Sequence, residues 1–181
     1  RCTRRSLSPC PSLNLIHYIH NDFTFRISKM TASQPQPATV HAPMRIMGLQ
    51  ARTSLDQVHA TLNDLWTRWQ NDKAQCLPSF TLTTYCVYQY DDATPNEVLI
   101  TIGRIVAQDL PTPPFAALTI LPAQDYVRYE ATATTPEAVF AQWQAIEQDP
   151  SIQRSFTTDF ETYPINGNPK IYVGVQAALS E

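Results

Sequence analysis

Glycine is scarce in this chain: Gly48, Gly103, Gly167 and Gly174 are the only four in 181 residues, against 15 prolines. No two of them stand close enough to form a phosphate-cradling loop, which argues against nucleotide chemistry of the P-loop or dinucleotide-binding kind. No run of about 18 apolar residues occurs, so no transmembrane helix is implied. Cys2, Cys10, Cys76 and Cys86 form no CxxC pair, and HxxxH and HExxH are absent. Neither a metal centre nor any other cofactor is expected, and the cysteines read as free thiols of a reducing, cytoplasmic compartment. A Cys76–Cys86 disulfide is the weaker alternative. His41 has no Ser and Asp partners in a recognisable triad motif.

Positive charge is short where a nucleic-acid binder needs it. The net charge of -3 divides into +4 on residues 1–29 and -7 on the rest. An acidic body meets a phosphate backbone with repulsion, so no direct DNA binding is expected. The length suits one domain with a tail. Residues 1–39 read as an extension and flexible N-terminal tail, with the working protein expected to begin near Met30 and an organellar presequence as the rival reading. Residues 40–181 read as the domain.

Within that domain the residues alternate between extended and helical patterns. Val40 to Arg52 predicts a strand, and Thr53 or Ser54 is placed to cap a helix from Leu55 to about Asn71. Val58, Leu62, Leu65, Trp66 and Trp69 fall on one apolar face of that helix. A strand through Tyr85 and Val87 shows Cys86, Tyr88 and Tyr90 on its other face, and Glu97 to Val106 follows as a strand after an Asp/Pro/Asn turn. Pro111, Pro113 and Pro114 make a connector and candidate hinge. Phe115 to Leu121 and Tyr126 to Ala131 read as extended. Thr135-Pro136-Glu137 has cap, first-turn proline and early acid in place for a helix to about Gln148, with Val139, Phe140, Trp143 and Ile146 on its apolar side. Two strands end the domain, Thr158 to Tyr163 and Lys170 to Ala177.

The order strand, helix, strand, strand therefore occurs twice, in residues of about 40–108 and 115–177. The helix ends Leu65-Trp66-Thr67-Arg68-Trp69-Gln70 and Val139-Phe140-Ala141-Gln142-Trp143-Gln144 match around Trp69 and Trp143. The predicted fold class is α+β: duplicated units forming an antiparallel sheet, two helices packed on one side, and a central ligand cleft where the halves meet. Along Thr158 to Tyr163, alternation puts Asp159, Glu161 and Tyr163 on one face. A carboxylate there, beside a phenol and turned inward, needs a partner, and a cationic ligand is one candidate.

Residues of about 40–177 resemble the effector-binding domains related to the gyrase-inhibitory protein, found alone or attached to regulators of the AraC and MerR types. The resemblance rests on Met44-Arg45-Ile46-Met47-Gly48-Leu49, on the run from Ala117 to Val127, on Trp143, on Asp159-Phe160-Glu161-Thr162-Tyr163, and on Ile171-Tyr172-Val173-Gly174-Val175. It implies a cleft for small, often cationic and aromatic molecules, with a buried glutamate that falls on Glu161. It further implies a stand-alone effector-binding protein, a sensor of the transcription-regulator kind or a drug-sequestering one. The pattern departs at Gln124-Asp125, where such domains usually carry a glycine.

The expected ligand-binding residues are Glu161, Tyr163, Tyr88, Tyr90, Trp66, Tyr126 and Tyr172, with no catalytic residue assigned. The expected partner is a small hydrophobic or cationic ligand, not a membrane; whether the chain forms a homodimer stays open. Trp69, Phe140 and Trp143 read as core, and His59 as exposed opposite the apolar face. Two alternatives come with the resemblance. One is a hydrolase of reactive cyclopropane-bearing toxins, with Glu161 as general base oriented by Tyr163 or Tyr88. The other is a protein-inhibitor module of the gyrase-inhibitor type.

Overall fold

The computed structural model describes residues 33–73 and 76–176. Eight strands form one open antiparallel sheet, accompanied by two helices, an α+β fold. The elements are β1 (Gln36–Val40), β2 (Met44–Ser54), α1 (Val58–Arg68), β3 (Thr84–Tyr90), β4 (Glu97–Ile105), β5 (Ala117–Leu121), β6 (Gln124–Glu130), α2 (Pro136–Glu147), β7 (Thr158–Tyr163) and β8 (Lys170–Gly174). Across the sheet they run β1-β6-β8-β7-β3-β4-β2-β5. Strand, helix, strand, strand thus recurs as β2-α1-β3-β4 and β6-α2-β7-β8. The two trios of strands meet at β7 and β3, in the middle of the sheet.

The first predicted strand is two strands. His41, Ala42 and Pro43 break it, and Gln36–Val40 pair with β6 although residues 36–39 were expected in a flexible tail. The tail's remaining expectations, with Cys2 and Cys10, fall in residues 1–32, outside the described residues. The first helix is also divided: Leu55–Gln57 is a 3-10 turn, Val58–Arg68 is α-helical, and Trp69–Lys73 widens to a π-turn. Ser54 makes no side-chain cap bond, because the chain enters through the tight 3-10 turn, and the Thr53 hydroxyl accepts from Thr61 instead. In α2 the expected cap is formed, with Thr135 Oγ1 accepting from the Ala138 amide. Cys76 and Cys86 form no disulfide with each other.

Both helices lie on one face of the sheet. Leu65 and Trp69 bury against Met47, Leu49, Cys86, Tyr88, Ile100 and Ile102, while Val139 and Ile146 bury against Tyr129, Ile171 and Val173. The opposite face carries its own core, in which Ile46, Val87, Leu121, Tyr126 and Phe160 pack together without a helix. Burial on both faces explains why β7 is buried at Thr158 through Thr162, with only Tyr163 partly exposed. No described helix is long and apolar enough to cross a membrane.

Candidate functional site

A carboxylate in so central a strand cannot be solvated by bulk water. Glu161 is 2% exposed, and three neutral donors surround it. Trp143 Nε1 donates to Oε1 at 2.5 Å, the Tyr88 hydroxyl donates to Oε1 at 3.1 Å, and the Tyr163 hydroxyl donates to Oε2 at 2.6 Å. Burial pushes the Glu161 carboxyl up from its ordinary value, and the three hydrogen bonds oppose that shift without cancelling it. The same burial and the nearby carboxylate raise the Tyr88 and Tyr163 phenols, which stay protonated donors.

Asp159, on the same face, has a different environment. It is fully buried but pairs with Arg154, and its Oδ1 accepts the Gly174 amide at 2.8 Å. Burial still raises its carboxyl, opposed chiefly by the Arg154 guanidinium. Arg154 also lies over the Phe156 ring, 4.4 Å from its centroid. Asp159 therefore has its cation within the protein and ties β7 to β8. Glu161 has none among the described residues.

Above Glu161 lies a cavity of about 120 Å³ between α1 and α2. Its walls are two aromatic pairs that cross from one half to the other. Trp66 of α1 meets Tyr163 of β7 edge to face at 4.8 Å, and Trp143 of α2 meets Tyr88 of β3 in the same manner at 5.9 Å. Cys86 stands opposite Glu161 in the β3–β7 register. Tyr88 lies two residues beyond Cys86, and Tyr163 two beyond Glu161. A twofold axis through the Cys86–Glu161 pair thus exchanges the two wall pairs, and it puts a thiol where the other half has its carboxylate. Trp66, not Trp69, is the counterpart of Trp143; Trp69 is buried below α1 with Nε1 directed at Thr84 Oγ1, 3.4 Å away. At the mouth, the His59 and Phe140 rings meet across the two helices with centroids 5.3 Å apart.

Of the seven sequence-predicted residues, Glu161, Tyr163, Tyr88 and Trp66 line this cavity together. Tyr90 lies on the same sheet face but away from the cavity, against Phe156 and within reach of Arg154. Tyr126 and Tyr172 lie on the other face of the sheet, in an aromatic cluster around Phe160. Phe160 pairs with Tyr172, so alternation sends Glu161 to the side that Tyr172 does not occupy. Two cavity residues were read otherwise from the sequence. Trp143 and Phe140 share helical spacing with true core positions, whereas His59, read as exposed, is exposed and stands at the cavity mouth. Their signal was present as an apolar stripe wider than one sheet contact needs. Among the described residues no group of three or more His, Cys, Asp or Glu could hold a metal ion.

No family model matches this chain, and no curated protein does. Solved structures do. An integron cassette protein from the mobile metagenome of Vibrio cholerae superposes with a TM-score of 0.65 at 19% identity, covering 80% of this chain and 97% of that one. A protein solved with tetraphenylphosphonium bound gives 0.62 at 13% identity, covering 80% and 94%. A candidate bacterial transcription regulation protein from Staphylococcus aureus gives 0.64 at 14% identity, covering 80% and 99%. At these identities the likeness is one of fold.

Proposed function

We propose that this chain is a binding protein for small hydrophobic cations, taken up between α1 and α2 with Glu161 as counter-ion. The single observation that carries the reading is a buried carboxylate at the floor of a cleft, held by three neutral donors and lacking a cation. A ligand cation restores the missing partner and favours the ionised carboxylate that burial disfavours. Each well-placed ring adds about 0.5 to 2 kcal/mol of cation–π attraction. Trp66, Trp143, Tyr88 and Tyr163 are the rings in position. A fold neighbour that carries tetraphenylphosphonium, a lipophilic cation, supports this ligand class, and one described as a candidate regulator supports an effector-binding role; the AraC-type, gyrase-inhibitor-like kind of that role rests on the sequence resemblance.

The enclosed volume, about 120 Å³, is well below the roughly 300 Å³ of a typical drug-sized site. One aryl group with the charge beside it enters, and the rest of the ligand lies across the mouth. Tryptophan fluorescence titration with tetraphenylphosphonium tests the reading. Wild type is expected to bind, and Glu161→Gln to bind about tenfold more weakly or worse, the usual loss for a buried charge pair. Equal affinity in both proteins would remove Glu161 as counter-ion, and no binding by wild type would reject the function.

A further inference from the structure

The two halves of the cleft are alike in their aromatic walls and unlike at the rim. With Trp66 and Trp143 as counterparts, the α1 rim presents Asn63, Thr67 and Gln70, and the α2 rim presents Val139 and Phe140. Asn63 and Gln70 line the cleft, and among the described residues neither side-chain amide makes a hydrogen bond within the protein. The Thr67 hydroxyl donates to the Asn63 carbonyl at 2.8 Å and keeps its lone pairs as acceptors. None of the three carries charge. On the other side Phe140 is 45% exposed, an uncovered ring beside a closed apolar wall. An aryl cation without polar substituents meets Trp66 and Leu62 on the α1 side but offers no partner to Asn63, Thr67 and Gln70 and displaces water from them.

From this asymmetry we infer that the site selects amphiphilic cations: the charge sits at Glu161, an apolar edge lies on Val139 and Phe140, and a neutral hydrogen-bonding substituent such as a carboxamide or hydroxyl meets Asn63 and Gln70 of the α1 rim. The inference rests on the cation-binding reading above and adds orientation and ligand class to it. Thr67 strengthens it by offering an acceptor one turn from Asn63, so a substituent that both donates and accepts is satisfied. The floor fixes the same orientation, because only the β7 side has the carboxylate, and Cys86 replaces it on the β3 side.

A matched pair of probes isolates the rim from the charge. The compounds are (4-carbamoylbenzyl)triphenylphosphonium and (4-methylbenzyl)triphenylphosphonium, equal in charge and aryl count and differing in one hydrogen-bonding group. Calorimetric titration of wild type is expected to favour the carbamoyl compound about three- to tenfold, the range for one or two net hydrogen bonds. The preference is expected to vanish or reverse in Asn63→Leu/Gln70→Leu and to survive in Phe140→Leu, with thermal midpoints measured alongside to show that the variants are folded. If both probes bind wild type equally, the rim does not select and the inference falls while the cation reading stands. A preference that persists in the double variant overturns it too, since its source then lies elsewhere. If neither probe binds, the cation reading and this inference fall together.

Discussion

At the scale of single residues, the chain holds two buried carboxylates on one strand face and treats them oppositely. Asp159 has Arg154 and a backbone amide; Glu161 has two phenols and an indole. A structural acid would be expected to look like Asp159, so the proposed cation is expected at Glu161. Its folded-state value is raised above the unfolded one. The stability it contributes is therefore fully present below the ordinary glutamate range, near 4.3, and is lost as pH rises through the raised folded value. Asp159 is also raised and acts in the same direction. Glu161→Gln removes one of these two contributions: the variant is expected to show a flatter decline of thermal midpoint with rising pH and to match or exceed wild type at neutral pH. A variant curve parallel to wild type would contradict the assignment. Trp143→Phe keeps a ring but removes the 2.5 Å donor to Oε1, so its expected effect is a further rise of the Glu161 value and a shift of pH-dependent binding to higher pH.

Alternation in an extended strand put Asp159, Glu161 and Tyr163 on one face, and the resemblance, not the alternation, singled out Glu161. Helix α1 yielded Trp66 for a weaker reason, its position one step off the Leu62–Trp69 line. Trp143 and Phe140 were not recoverable in this way. A helical period tells which side of a helix is apolar, yet an apolar side that meets the sheet and one that meets the facing helix have the same period. Tyr126 and Tyr172 were misplaced for a related reason: alternation separates them from Val127, Tyr129, Ile171 and Val173 but does not say which face the helices cover.

At the scale of elements, the strands near the site depend on close backbone approach. Gly48 of β2 and Gly103 of β4 stand opposite each other. A Cβ on Gly48 would lie 2.0 Å from the Ile102 carbonyl oxygen, and one on Gly103 would lie 2.3 Å from that of Met47. Backbone cannot yield as a side chain does, so Gly103→Ala is expected to destabilise the fold by about 2 kcal/mol or more by urea denaturation. A loss below about 0.5 kcal/mol would show that the strands can separate there. Both glycines were visible in the sequence, but their need for contact depends on a pairing register that no local pattern encodes. The cap at Thr135 was legible because a cap is local. Thr135→Ala is expected to cost about 1 kcal/mol, read from the same denaturation curve, whereas Ser54→Ala, where no cap bond forms, is expected to be near neutral.

At the scale of the whole molecule, the halves are joined by more than the β3–β7 seam. β1 precedes the first strand-helix-strand-strand unit yet pairs with β6 of the second, and β5 precedes the second unit yet pairs with β2 of the first. Each unit thus lends its leading strand to the edge of the other. With the aromatic pairs crossing the cleft as well, the halves are expected to unfold in a single transition. Urea curves followed by fluorescence in Trp143→Phe, which reports the first half, and in Trp66→Phe/Trp69→Phe, which reports the second, should each coincide with the circular-dichroism curve of the same protein. Two separated transitions would contradict this coupling. The duplication was readable from element order, while the exchange of leading strands was not, because it turns on which distant edge a short strand meets.

A buried Glu161 with no cation beside it among the described residues is proposed to recruit one, and the most direct test is the pH dependence of tetraphenylphosphonium affinity in wild type and Glu161→Gln, with His59→Asn as the control for the imidazole at the mouth. Wild type and His59→Asn should bind more tightly as pH rises through the raised Glu161 value, while Glu161→Gln binds weakly with a flat profile. A wild-type profile as flat as that of Glu161→Gln, or a slope that disappears in His59→Asn and persists in Glu161→Gln, would contradict the account.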